Sequence, residues 1–291
     1  MPKMFGAKFP LQVKRQKINF ASGITSIGAG VTAYPPCCGK SGERVALGVG
    51  IANELWDNWL VTRPGILRNL FVKSNSAPGA GQSYTYTVRV NGVNTALTAT
   101  ISGAAQYFNT DLVNTVPVNV GDRIIVQIVT SVTATACVHS ASVDFEVNMV
   151  RQVYNSINFG PGGMSQAANT TRYLASLNEA PLAGLLCPNE TDVFAVHLVV
   201  RKGSFRNMVG FAAAAPGAGE SFVYTMRVNG ANTALTVTIS GAVQQTGIDT
   251  TNIVVVNSGD RVTVSSVTSV TAVACAHHTA FDFEEGDYRT G

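Results

Sequence analysis

The sequence is short of charge: Asp, Glu, Lys and Arg make up 13% of its 291 residues, against roughly 25% in a typical soluble chain. A soluble monomer spreads more charge than this over its surface. Either much of that surface is covered by partners, or it is a neutral coat of Ser, Thr and Asn. The net charge of +3 is too small to make the chain as a whole a nucleic-acid binder. No run of about 18 apolar residues occurs, so no transmembrane segment is expected. Met1-Pro2-Lys3-Met4-Phe5 lacks an apolar stretch followed by a cleavage site, so no signal peptide is expected and folding in a cytoplasm is. Five cysteines, two of them adjacent (Cys37 and Cys38), are too few and too irregular for a disulfide framework. The nucleophile elbow, the phosphate loop and the H-E-x-x-H pattern are all missing, and acids are scattered. Catalysis is therefore not expected, nor is any cofactor. Helical periodicity is missing as well.

What is present is a long repeat. Residues 68–146 recur as 206–284 at a constant offset of 138, with about 46 of 79 positions identical. Pro78-Gly79-Ala80-Gly81 returns at Pro216-Gly217-Ala218-Gly219, Arg89-Val90-Asn91-Gly92 at Arg227-Val228-Asn229-Gly230, and Asp144-Phe145-Glu146 at Asp282-Phe283-Glu284. Solenoid repeats run roughly 20–50 residues, so this one is a whole domain. Ile18-Asn19-Phe20 and Ile157-Asn158-Phe159 open the two copies.

Within the repeat, strand follows strand. Tyr84, Tyr86, Val88 and Val90 alternate with Thr85, Thr87 and Arg89, the period of a half-buried strand. Asn91-Gly92 then supplies a tight hairpin turn, and Leu97, Ala99 and Ile101 return inward; Pro78-Gly79 has type II turn chemistry. Gly121-Asp122 turns the chain into Arg123–Thr130, and Val143, Phe145 and Val147 face inward on the last strand. The second copy repeats every phase. The expected fold is all-β: two tandem homologous β-sandwich (jelly-roll-like) domains. A basic N-terminal arm at 1–17 precedes a first sandwich at 18–150 and a second at 151–291.

The arm carries Lys3, Lys8, Lys14, Arg15 and Lys17 before any acid. It either touches a neighbouring subunit or a packaged genome, with a salt slope of about −4.5 for five phosphate contacts, or it is a solvated terminus. Leu55–Thr62 holds both tryptophans, with Trp56 expected inward and Trp59 on the opposite face. An outward Trp59 is a possible anchor for a partner or a glycan, the alternative being cover for the core. Its counterpart Val193–Val200 is expected to carry Phe194, Val196, Leu198 and Val200 on one face, the inward one that Trp56 shares. Cys137-x-His139 recurs as Cys275-x-His277; two ligands per repeat fall short of a zinc site, and buried structural packing is the expectation. Asp144 and Glu146 share a strand face, expected to be solvated or interfacial. Val72-Lys73-Ser74 becomes Gly210-Phe211-Ala212, so Phe211–Ala214 is expected to be buried by a domain or subunit contact.

The hairpin at Ser83–Gly103, its copy at Ser221–Gly241 and the twin strand-rich domains resemble virion structural proteins of bacterial viruses built from jelly rolls. The resemblance spans about residues 18–285 and implies a coat or decoration subunit that forms homo-oligomers and meets other virion proteins. It also implies a place in the virion after synthesis in the host cytoplasm. The second function class is a receptor- or glycan-binding spike or fibre module.

Overall fold

The structure, a computed structural model, describes residues 12–22, 26–37, 54–55, 58–149, 154–160, 165–176 and 196–286. Among them there is no helix. The first half contributes β1 (Gln12–Ala21), β2 (Thr32–Ala33), β3 (Trp59–Leu60), β4 (Gly65–Ser74), β5 (Gly79–Val90), β6 (Val93–Gly103), β7 (Phe108–Val118), β8 (Arg123–Thr130) and β9 (His139–Met149). The second contributes β10 (Tyr154–Gly160), β11 (Thr171–Ser176), β12 (His197–Leu198), β13 (Gly203–Ala212), β14 (Gly217–Val228), β15 (Ala231–Gly241), β16 (Thr246–Asp249), β17 (Val254–Val256), β18 (Arg261–Thr268) and β19 (His277–Glu285).

In the first half one layer runs β1-β9-β4-β7 and the other β2-β8-β5-β6, with β3 also on β8. The pairs nest: β1 with β9, β2 with β8, β4 with β7 and β5 with β6, all antiparallel. This is a long hairpin rolled up on itself, the jelly-roll order. The second half repeats it as β10 with β19, β11 with β18, β13 with β16 and β17, and β14 with β15. Its two layers are also joined at one corner by β10–β11 pairing. Each half has its own hydrophobic core, one from Ile18 to Val147 and one from Ile157 to Phe283.

Local chemistry fixes the corners. Asn91 (φ 52°) and Gly92 (φ 82°) adopt the two left-handed positions of a tight hairpin turn, as do Asn229 and Gly230. The Asn91 side chain donates to Asp122 Oδ1 at 2.7 Å and accepts from the Arg123 amide at 3.0 Å, so one turn holds the next. Asp111 accepts from the amides of Thr98, Val113 and Asn114 and from the Asn114 side chain. Burial works against ionisation there, but these donors outweigh it and hold Asp111 below the ordinary carboxylate range; Asp249 is held in the same way. Neither repeated acid is free for acid–base work. Asn69 and Asn207, at φ 54° and 51°, sit in register breaks of β4 and β13. Their side chains donate to Asp144 and Asp282 at 3.0 and 2.5 Å, which secures a β-bulge in both halves.

Candidate functional site

The Cys-x-His motif lies between the layers in both halves. His139 is fully buried; its Nδ1 lies 2.6 Å from Tyr86 Oη and its Nε2 3.3 Å from Cys137 Sγ. Among the described residues the Tyr86 hydroxyl has no other acceptor, so it donates to Nδ1 and the Nε2 proton points at sulfur. His277 repeats the arrangement with Tyr224 at 2.5 Å and Cys275 at 3.8 Å. Aromatic edges close the pocket, Tyr84 against His139 and Phe222 against His277. Burial pushes His139 down to about 4 and His277 to about 3, and pushes both thiols and Tyr86 and Tyr224 up. Neutral imidazole, protonated thiol and protonated phenol form a closed packing unit. Among the described residues no group of three or more His, Cys, Asp or Glu is placed to hold a metal.

The surface with functional content is the contact between the halves. A rim of the first half, formed by β3 and the 119–123 turn, sits on the outer face of the β10-β19-β13-β16 layer. Leu60 joins Val209, Phe211 and Ala280 in a third apolar cluster, with Leu55 and Val120 at its edge. The Arg123 guanidinium lies over the Phe211 ring, 4.3 Å from its centroid. Gly121 comes so close to Ile248 that an added Cβ would lie 3.0 Å from its Cδ1. Arg63 reaches across to Asp282 and Glu284. Burial opposes the charge on Arg63, yet the two carboxylates outweigh it and raise its pKa. For Asp282, which is wholly buried, burial wins and holds the carboxyl above its usual range, with Arg63, Thr62 and Asn207 pulling it back in part.

The expected site residues divide sharply against this geometry. Phe211 is 1% exposed and is covered by the first half of its own chain; Ala212 belongs instead to the second half's own core. Trp59 is a correction. It is 1% exposed and packs edge-on against Phe145 at 4.9 Å, so it anchors no glycan or partner. Trp56 lies outside the described residues. The second copy is corrected in part: Val196 is buried and Phe194 lies outside the described residues, but Val199 points into the core while Leu198 and Val200 are exposed. Alternation misleads here because both sides of β3 are apolar, one facing the core and the other facing the second half.

Lys14, Arg15 and Lys17 stand on β1, in register with Val147, Glu146 and Asp144. Arg15 forms an ion pair with Glu146, so the strand that carries these cations is part of the first sandwich from Gln12 onward. Lys3 and Lys8 lie outside the described residues. Sequence reading missed Leu60 and Arg63. A signal was available: at the offset of 138 Leu60, Val61, Arg63 and Gly65 recur as Leu198, Val199, Arg201 and Gly203, ahead of the 68–146 repeat.

No protein-family model matches the chain, and no curated protein does. Among solved structures, it aligns with a Paenibacillus xanthan lyase at 10% identity and a TM-score of 0.24, covering 97% of this chain and 26% of the lyase. The chain thus spans about a quarter of that enzyme's length. A conserved protein of unknown function from Pseudomonas aeruginosa aligns at 7% identity and a TM-score of 0.21, covering 94% of this chain and 99% of that one.

Proposed function

We propose that the chain is a structural subunit of a bacterial-virus shell, a coat or decoration protein that works through repeated protein–protein contacts within the virion. The observation that carries this reading is the pair of homologous jelly rolls set rim-on-face in one chain. A rigid wedge presented twice is what a tiled surface needs, because the same shape then meets its neighbours at two places per chain. The low charge content, 13%, fits a surface largely covered in the assembly. In this reading the chain is not an enzyme and needs no cofactor, and the cations of residues 1–17 add a contact to subunits or to the genome. The receptor- or glycan-binding alternative has lost its proposed anchor with the burial of Trp59.

Negative-stain and cryo-electron microscopy of the purified protein at high concentration, and of particles from cells expressing it, tests the reading. Regular rings, sheets or shells are expected. A strictly monomeric chain at every concentration overturns it.

A further inference from the structure

Among the described residues, each chain uses one rim and one face of the same type and leaves the matching pair unused. The used pair is the first half's rim (Leu60, Arg63) on the second half's face (Phe211, Asp282, Glu284). At the same offset of 138, the unused rim carries Leu198 and Arg201 and the unused face carries Asp144 and Glu146. The hydrophobic groups of the unused pair are open. Leu198 is 56% exposed where Leu60 is 0%, and Val200 is 80% exposed where Thr62 is 0%. On the unused face Phe71 and Phe108 stack with centroids 6.1 Å apart, 40% and 60% exposed. Their counterparts in the second half, Val209 and Thr246, border the contact with the first half.

We infer that the second half's rim of one chain docks on the first half's face of the next, a head-to-tail contact between copies that imitates the one inside each chain. Leu198 and Val200 would cover the Phe71–Phe108 pair, and Arg201 would approach Asp144 and Glu146. Such a heterologous contact either closes into a ring or runs on as a filament. The inference rests on the self-assembly reading above for the identity of the occupant.

The imitation is not complete, and the differences have a measurable consequence. Lys73 stands where Phe211 does, so the Arg123 stack has no equivalent. Arg15 and Arg68 already pair with Glu146, Lys17 stands beside Asp144, and Arg201 pairs with Glu285. Lys202 and Arg261 add positive charge to the rim. Cations therefore meet cations around an apolar centre. The contact between copies is weaker than the one inside the chain, and it tightens as salt screens the repulsion.

The full chain is tested by sedimentation velocity across a concentration series at low and high salt. Leu198→Asp disables the rim and Phe108→Asp the face, both at exposed positions; matched thermal transitions verify folding. Each variant alone is expected to lose at least tenfold in association, while an equimolar mixture forms a dimer and nothing larger, because it holds one intact rim and one intact face. Arg201→Glu serves as a second, polar rim variant. It takes a cation out of a cation-against-cation contact, so association at low salt is expected to rise and its salt dependence to flatten; unchanged salt dependence would count against this placement of the rim. If wild-type assembly persists in both apolar variants, or if their mixture stays monomeric, the assignment of these surfaces is overturned while the self-assembly reading stands. A wild-type chain that never associates overturns both.

Discussion

The same sheet face occurs twice in this molecule and is treated in opposite ways. In the second half Phe211, Ala280, Asp282 and Glu284 all lie under cover, and the first half adds Arg63 to the face's own Arg206. In the first half the face is open and carries its own cations. Arg15 and Lys17 occupy the register positions that Tyr154 and Ser156 hold in β10, and Lys73 replaces Phe211. Both faces take one cation from the adjacent strand, Arg68 for Glu146 and Arg206 for Glu284. The comparison teaches where the second comes from: the other domain (Arg63) when the face is covered, and the edge strand β1 (Arg15) when it is not.

Removing Arg63 breaks the comparison most forcefully. Arg63→Met leaves Asp282 and Glu284 buried without their cross-domain partner, and a loss of about 3–5 kcal/mol is expected. Urea unfolding should show it, with Asp282 taking up a proton in compensation. Arg201→Met removes the corresponding exposed cation, and its effect should stay within about 0.5 kcal/mol. Equal losses from the two would mean that the cover between the halves carries no energetic weight.

Acid separates the two buried imidazoles. Folded His139 stays neutral down to about pH 4 and His277 to about 3, whereas the unfolded chain binds these protons near 6.5. The unfolded state thus holds more protons between those values, so stability is complete above about pH 6.5 and is lost as the pH falls. The loss reaches about 3 kcal/mol for His139 and somewhat more for His277. Urea midpoints from pH 7 to 4 measure it, and Tyr86→Phe should cost about 1 kcal/mol through its hydrogen bond. A pH-independent midpoint in this range would show that the histidines are not sealed from water.

A smaller effect sharpens the comparison inside the cores. The first half has Val72 and Ala99 where the second has Gly210 and Val237. A Cβ on Gly210 would lie 2.9 Å from the Tyr224 ring and 3.1 Å from Val237, so Gly210→Ala should destabilise by about 1–3 kcal/mol. Adding Val237→Ala makes room, and the double variant should lose less than the two single losses summed. The mildest change is Lys73→Phe, which gives the open face the residue of the covered one. Stability should move by no more than about 0.5 kcal/mol, while self-association measured by light scattering should rise.

Much of the fold was legible because its rules are local. Strict alternation placed Tyr84, Tyr86 and Val88 inward, and the structure buries all three completely; Asn91-Gly92 required the left-handed turn it adopts. The Cys137–His139 pair was readable as packing because its phase matched Val143 and Phe145. Trp59 was not readable, since a strand with apolar side chains on both sides gives no phase. Arg63 was missed because an isolated arginine looks like a solvated one until the carboxylates it serves, more than 200 residues away, are folded beside it.

The sequence by itself determined the duplication, the strand pattern and the turns, because each depends on residues within a few positions of one another or on simple identity at a fixed offset. The exchange of Lys73 for Phe211 already marked the second copy's face as the covered one. Only the tertiary structure decided that the cover is the rim of the first half of the same chain, with Leu60 and Arg63, since that depends on how two nearly equivalent bodies pack. Burial of Asp282 and Phe211 is a property of that contact and of no local segment.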